Sequence, residues 1–269
     1  MEQTMLMCPP DFFEVSYEIN PWMKGQINAS VQKRAEQQWE HLANLIGQQM
    51  PINIITPKEK LPDMVFTANA GLVSGNKVVV SRFTPKERQG ESQHFRDWFK
   101  TKGYEVMETP AELPFEGAGD ALFDDGKGIL WVGYGFRSAA DASVWLEQNL
   151  GREVHGLKLV DPRFYHLDTC FCPLKRGYIM YYPEAFAPES LELLKEKISP
   201  DLLIPVEEDD AIAFACNAVN IDDTIIMHKA SDSLKKRLAA IGFEVKEAPV
   251  DEFLKAGGST KCLTLKLPK

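Results

Sequence analysis

Three short segments carry residue types that can do nucleophilic and acid–base chemistry. They are Gly257-Gly258-Ser259-Thr260-Lys261-Cys262-Leu263, Tyr165-His166-Leu167-Asp168-Thr169 and Phe115-Glu116-Gly117-Ala118-Gly119-Asp120. A thiol, an imidazole and several carboxylates are the parts of a cysteine-nucleophile enzyme that acts on a cationic substrate. The Gly-Gly lead-in to Cys262 lets the backbone approach a ligand closely. A thiol with pKa about 8.5 is only a few per cent thiolate at neutral pH, so a guanidinium held beside it would help to ionise it. An imidazole titrating near 6.5 suits His166 to pass a proton to a leaving amine and then take one from water. Glu116 and Asp120, separated by small residues, suit a planar, multi-donor cation. The other cysteines, Cys8, Cys170, Cys172 and Cys216, read as core filler.

Two rival motifs fail on physical grounds. His166, Asp168, Cys170 and Cys172 share strand parity, but the first and last would lie about 20 Å apart on an extended strand, and zinc ligands all sit about 2 Å from the ion. Gly117-Ala118-Gly119-Asp120-Ala121-Leu122 starts like a dinucleotide loop, yet Leu122 replaces the third glycine and a strand, not a helix, is expected next. Neither a metal nor an organic cofactor is expected. The net charge of −9 argues against nucleic acid and anionic membrane as partners. No apolar run approaches the roughly 18 residues of a membrane span. Five scattered cysteines do not form a disulfide framework. The start, Met1-Glu2-Gln3-Thr4, lacks the basic and apolar regions of a signal peptide, so a cytoplasmic setting is expected.

The elements that must position these groups recur about every 45 to 60 residues, as strand, turn, strand, helix, strand. One unit runs from a strand over 64–73 through a turn at 74–76, a strand over 77–81 and a helix over 91–102 to a strand over 104–107. A second uses 121–123, the Asp125-Gly126 turn, 128–132, a helix near 139–150 and 157–160. A third uses 169–174, 178–182, a helix near 188–198 and 202–205. A fourth uses 218–221, 224–228, a helix over 232–240 and 243–247. The last is split across the termini, with strands at 262–267, 5–7, 14–17 and 52–55 and a helix over 31–46. Five such units imply an α/β ring of five ββαβ blades with pseudo-fivefold symmetry. With no linker or composition shift, 1–269 reads as a single domain. Glu116, Asp120, His166, Asp168, Asn217 and Cys262 each precede or open the first strand of a unit, and Asn69 lies just inside one. A ring would bring them to one axis.

These segments resemble the guanidino-group modifying superfamily, the penteins, which includes arginine deiminases, dimethylargininases and amidinotransferases. The resemblance is closest to the arginine dihydrolase domain of arginine dihydrolase–ornithine cyclodeaminase proteins. Its carriers include Met7-Cys8-Pro9-Pro10, Ile19-Asn20-Pro21-Trp22-Met23, Pro62-Asp63-Met64-Val65-Phe66-Thr67-Ala68-Asn69-Ala70-Gly71, Gly133-Tyr134-Gly135-Phe136-Arg137-Ser138 and the segments from 81 to 91, 115 to 120, 166 to 172 and 256 to 265. The resemblance implies Cys262 as nucleophile, His166 as general acid/base and Glu116 as the carboxylate holding the guanidinium. It implies that Asp120 and Asp168 bind the guanidinium or α-amino end and that Arg88 and Arg137 clamp the α-carboxylate. Asn20, on a covering loop, Asn69 and Ala256 complete the substrate contacts. Deiminases and dimethylargininases usually carry an acidic residue at the Asn69 position, whereas dihydrolases carry asparagine. The implied reaction is therefore hydrolysis of L-arginine to ornithine, carbon dioxide and two ammonia. The alternatives are a deiminase or dimethylargininase that stops at citrulline, an amidinotransferase, and, in another class, a non-catalytic binding protein on the same scaffold. Self-association into a homo-oligomer is left open.

Overall fold

A computed structural model of the chain describes residues 3–124 and 126–268; Asp125 of the expected Asp125-Gly126 turn and the extreme ends of the 1–269 span lie outside the described residues. The order of elements follows the repeat. Strands β1 (Thr4–Met7) and β2 (Ile52–Ile54) run parallel and are joined by helix α1 (Gln32–Gly47). Strands β3 (Gly71–Ser74) and β4 (Lys77–Val80) form a hairpin, and helix α2 (Glu91–Thr101) crosses to β5 (Glu105–Glu108), parallel to β4. The same order gives β6 (Ala121–Phe123), β7 (Leu130–Tyr134), α3 (Ala142–Leu150) and β8 (Val154–Lys158). It gives β9 (Phe171–Pro173), β10 (Ile179–Tyr181), α4 (Pro188–Lys197) and β11 (Leu203–Pro205). After a short helix α5 (Glu208–Ile212) come β12 (Val219–Ile221), β13 (Thr224–Met227), α6 (Asp232–Ala240) and β14 (Glu244–Glu247). Helix α7 (Asp251–Leu254) leads to β15 (Leu265–Leu267), which pairs antiparallel with β1 through Met5↔Lys266. The result is a mixed α/β fold of five three-stranded sheets, one of which joins the two ends of the chain.

Each crossover helix buries one face against its own sheet. In α2, Phe95 and Phe99 lie one helical turn apart and are buried against Val78 and Val80 of β4. Burying each ring contributes about 1.5–3 kcal/mol. Gly103, at φ +83°, closes the helix in a left-handed conformation that favours glycine.

The sequence expectation differs from the fold where the chain enters a sheet. Residues 64–70 are not strand: two 3-10 turns, Pro62–Val65 and Thr67–Ala70, precede β3. The amides there bond locally (Phe66 N to the Asp63 carbonyl, 3.0 Å) or to another repeat (Ala68 N to the Cys262 carbonyl, 3.1 Å), so no ladder can form. Similar turns at Gly117–Gly119 and Leu167–Thr169 precede β6 and β9. Cys262 lies in a turn ahead of β15, three residues short of the strand expected at 262. Asn69 therefore projects from a turn, not from within a strand. Residues 14–17 are irregular, with Val15 buried in a core cluster with Met5 and Phe13.

Candidate active site

The entry turns bring the catalytic candidates together. Cys262, His166, Asn69, Arg88, Arg137, Asn20 and Ala256 line one small pocket. Glu116, Asp120 and Asp168 are buried just behind this lining. The enclosed space is only ≈10 Å3, about one water molecule, so a larger molecule can enter only if the covering segment moves. That segment is latched at three points. Asn20 Nδ2 donates to the Ala256 carbonyl at 3.0 Å, Trp22 Nε1 to the Arg163 carbonyl at 2.7 Å, and Arg137 Nη2 to the Ile19 carbonyl at 2.8 Å. Asn20 also caps the 3-10 turn Pro21–Met23 by accepting from the amides of Trp22 and Met23.

Close backbone approach fixes the nucleophile loop. A Cβ on Gly258 would sit 2.3 Å from Phe66, and one on Gly257, at φ +82°, would meet Asn20 and Tyr165 at 2.8 Å. Cys262 is 4% exposed, and its sulfur is held from two sides. It accepts a hydrogen bond from Asn217 Nδ2 at 3.1 Å and lies 3.6 Å from Asp168 Oδ2. Asn217 Oδ1 accepts from the backbone amides of Lys261 (3.0 Å) and Cys262 (3.1 Å). Those two donors fix the orientation of the amide group, so its NH2 must face the sulfur and the Asp168 carbonyl. Burial pushes the thiol well up and the Asp168 charge adds to this, while the Ser259 backbone, the Lys261 charge and Asn217 pull it down. Burial raises the Asp168 carboxyl to about 7 against the lowering effects of Lys261, Cys262 and Asn217.

Glu116 is fully buried and turned toward His166. Its carboxylate accepts from His166 Nε2 at 2.7 Å, Arg137 Nη1 at 3.1 Å and the Thr84 amide at 3.0 Å. Burial alone would raise this carboxyl, but the His166 hydrogen bond and the charges of Arg137, His166 and Arg88 outweigh it and bring it to about 2. An ionised Glu116 can only accept, so His166 Nε2 carries the proton in that contact. Asp120 accepts from Ser138 Oγ at 2.6 Å and the Leu167 amide at 3.1 Å, which braces the His166 turn. Burial lifts its carboxyl to about 6, against the His166 charge and the Ser138 bond. In this closed state, then, Glu116 and Asp120 hold the imidazole and its turn and do not face the pocket.

Arg88 is held by a bidentate pair with Glu91 at 2.8 Å and donates to Asn69 Oδ1 at 2.9 Å. Asn69 Nδ2 donates to the Glu116 carbonyl at 3.0 Å, which ties two neighbouring repeats together. Three further residues were not singled out in the sequence as site residues. Asp63 lines the pocket with Oδ2 bonded by Tyr17 at 2.9 Å, while its buried Oδ1 has no hydrogen-bond partner. Tyr165 lines it under the Arg137 guanidinium, 4.7 Å from the ring centre, and Asn217 holds the nucleophile from behind. The signal for Asp63 was its place in the Pro62–Gly71 segment; a lone tyrosine or asparagine carries none.

A buried thiol and an imidazole–carboxylate pair on the entry turns, beside two arginines from the loops after β4 and β7, in a fold of five small sheets, define the pentein class of guanidino-modifying proteins. The chain belongs to the N,N dimethylarginine dimethylhydrolase family, whose eukaryotic model matches residues 13–269. It is 53% identical over 97% of its length to the bifunctional arginine dihydrolase/ornithine cyclodeaminase AgrE of Nostoc sp.. It is 54% identical over 98% of its length to ArgZ of Synechocystis sp., a protein of the same description. The chain spans only 37% of each of these two relatives. A crystal structure of the ArgZ N-terminal domain, a cysteine-to-serine mutant bound to substrate, superposes with a TM-score of 0.98 at 53% identity and covers 100% of this chain and 99% of that one. Among the described residues no helix is long and apolar enough to cross a membrane, and no cluster of metal-ligating side chains occurs.

Proposed function

We propose that this chain is an arginine dihydrolase, converting L-arginine and two waters to ornithine, carbon dioxide and two ammonia. The observation that carries the reading is the neutral Asn69 in the Cys262 pocket of a chain that matches dihydrolase domains along almost its whole length. Cys262 Sγ attacks the guanidinium carbon and forms a C–S bond. His166 protonates the departing nitrogen, and ammonia leaves a thiouronium. A water that gives its proton to His166 then cleaves the C–S bond and releases citrulline within the pocket. In the second cycle the thiolate attacks the ureido carbon, a second ammonia leaves, and hydrolysis of the thiocarbamate gives ornithine and carbon dioxide.

Each contact has a role in this reading. Glu116 keeps His166 oriented, Asp120 braces the same turn, and Asp168 meets the guanidinium beside the sulfur. The unpartnered Asp63 oxygen offers a further acceptor for the cationic ends of the substrate. Arg88 and Arg137 meet the α-carboxylate, and Asn20 and the Ala256 carbonyl, freed when the latch opens, bind the α-amino end. A bound guanidinium near Sγ also offsets the burial that holds the thiol protonated. We further propose that the five sheets close into one propeller domain; the β15–β1 pairing of the chain ends and the convergence of β3, β6, β9, β12 and β15 on one cavity support it. Rapid quenching during turnover tests the mechanism. The intact protein should gain the mass of a thiouronium on Cys262, and an unmodified Cys262 under steady turnover would rule covalent catalysis out.

A further inference from the structure

The five repeat-opening strands enclose a second space, quite separate from the pocket at Cys262. Its volume is ≈380 Å3, and Leu72, Ala121, Phe171, Val219 and Leu265 of β3, β6, β9, β12 and β15 all face it. This is the size of a small-molecule site. Among the described residues, three cations line it, Lys261, Lys266 and Arg152, with one carboxylate, Asp124. Lys261 Nζ has a single long contact, 3.5 Å to the Ala118 carbonyl, and Arg152 rests on the Phe123 ring at 5.3 Å. Lys266 acts on the exposed Asp222 only at longer range. Among the described residues none of the three cations forms a salt bridge, although the chain as a whole carries a charge of −9. Among the described residues, three cations to one carboxylate around one partly apolar cavity form a field that favours multivalent anions.

We propose that this cavity is an effector site for a small anion bearing two or more carboxylate or phosphate groups, and that its occupancy slows chemistry at Cys262 through Lys261. The coupling follows from the chain itself. Lys261 precedes the nucleophile, its amide shares Asn217 Oδ1 with that of Cys262, and its ammonium faces the cavity. The positive charge of Lys261 favours ionisation of both Asp168 and Cys262. An anion paired with Lys261 removes that help, so the thiolate becomes scarcer; reciprocally, forming the thiolate weakens the anion's binding. The coupling rests on Cys262 being the reactive thiol, whereas the binding does not.

Calorimetric titration of the full chain with sodium pyrophosphate, and separately with citrate, at fixed ionic strength tests the site. The expected result is saturable binding of at least one of the two, weakened tenfold or more by Lys266→Met and by Arg152→Met, neither of which lies in the Cys262 pocket. Preference for pyrophosphate or for citrate tells phosphate from carboxylate chemistry. The saturating anion should also slow iodoacetamide alkylation of Cys262 at pH 7 at least threefold in the wild type and leave it unchanged in the double variant. No binding of either anion, or binding indifferent to both substitutions, overturns the site. Binding that leaves the alkylation rate untouched overturns the coupling.

Discussion

Asn217→Asp separates what Asn217 does for the fold from what it does for the nucleophile. The replacement is isosteric and keeps an oxygen for the amides of Lys261 and Cys262, which lie 3.0 and 3.1 Å from Oδ1. What it removes is the NH2 that donates to the Cys262 sulfur at 3.1 Å and to the Asp168 carbonyl at 2.9 Å. A hydrogen bond to a charged group is worth about 1.5–3 kcal/mol, and about 1.36 kcal/mol corresponds to one pKa unit. Loss of the donor should therefore move ionisation of Cys262 up by about one to two pH units, and a second carboxyl beside Asp168 pushes the same way. The assay is the pH dependence of iodoacetamide alkylation at Cys262, read by peptide mass, alongside steady-state kinetics. We expect the alkylation midpoint to rise by at least about one unit and kcat at pH 7 to fall roughly 10- to 100-fold with KM little changed. Asn217→Ala gives the complementary result, because it also strands the Cys262 amide and should cost about 1–3 kcal/mol of stability. An Asn217→Asp protein with the wild-type midpoint and kcat would refute the idea that this amide tunes the thiol.

Asn69→Asp should shift product from ornithine toward citrulline. A carboxylate suits the guanidinium, but with the neutral ureido group it keeps only Arg88 as its charge partner and turns an oxygen toward the Glu116 carbonyl, at about 1–3 kcal/mol or roughly tenfold in the second cycle; an unchanged ornithine fraction over time, with the fold intact, sinks the proposal. The stabilising charge of Glu116 has a definite pH window, because its carboxyl lies at about 2 against 4.5 in a free carboxyl. The wild type's urea midpoint should therefore exceed that of Glu116→Gln fully above about pH 4.5, with the advantage fading as pH falls toward 2, and an advantage that grows on acidification contradicts the assignment. His166→Ala should lower kcat roughly 10²-fold or more in initial-rate assays. Trp22→Ala removes the bond to Arg163 and the packing on Phe214, whose ring centre lies 4.7 Å away; limited proteolysis near residue 22 should accelerate, and an unchanged cleavage rate means that the latch does not hold the covering segment.

Helices α2 and α6 were legible almost to the residue, α2 because Phe95 and Phe99 mark a periodic apolar face; in the structure Ser231, accepting from the Leu234 amide, caps α6. The entry turns were not. An apolar run such as Met64-Val65-Phe66 reads as strand whether its amides bond along a ladder or across to Cys262, and that choice is made by the neighbouring repeat. Cys262, His166 and Glu116 stood out because each is an ionisable group placed at or just ahead of the first strand of a repeat. The facing of Glu116 toward His166 and Arg137, however, depends on residues 21 to 50 positions away. Asn217 illustrates the limit most plainly: its repeat-opening position places it at the axis, but its task toward the sulfur arises only when residue 262 arrives from the other end of the chain.

The central claim is two hydrolyses at one carbon, and the fate of that carbon tests it most directly. Incubation with L-arginine labelled with 13C in the guanidino group should release the label as carbon dioxide or bicarbonate, with one unlabelled ornithine and two ammonia per arginine consumed. Cys262→Ser should release none. Label retained in citrulline at the end of the reaction, with one ammonia per arginine, would contradict the account.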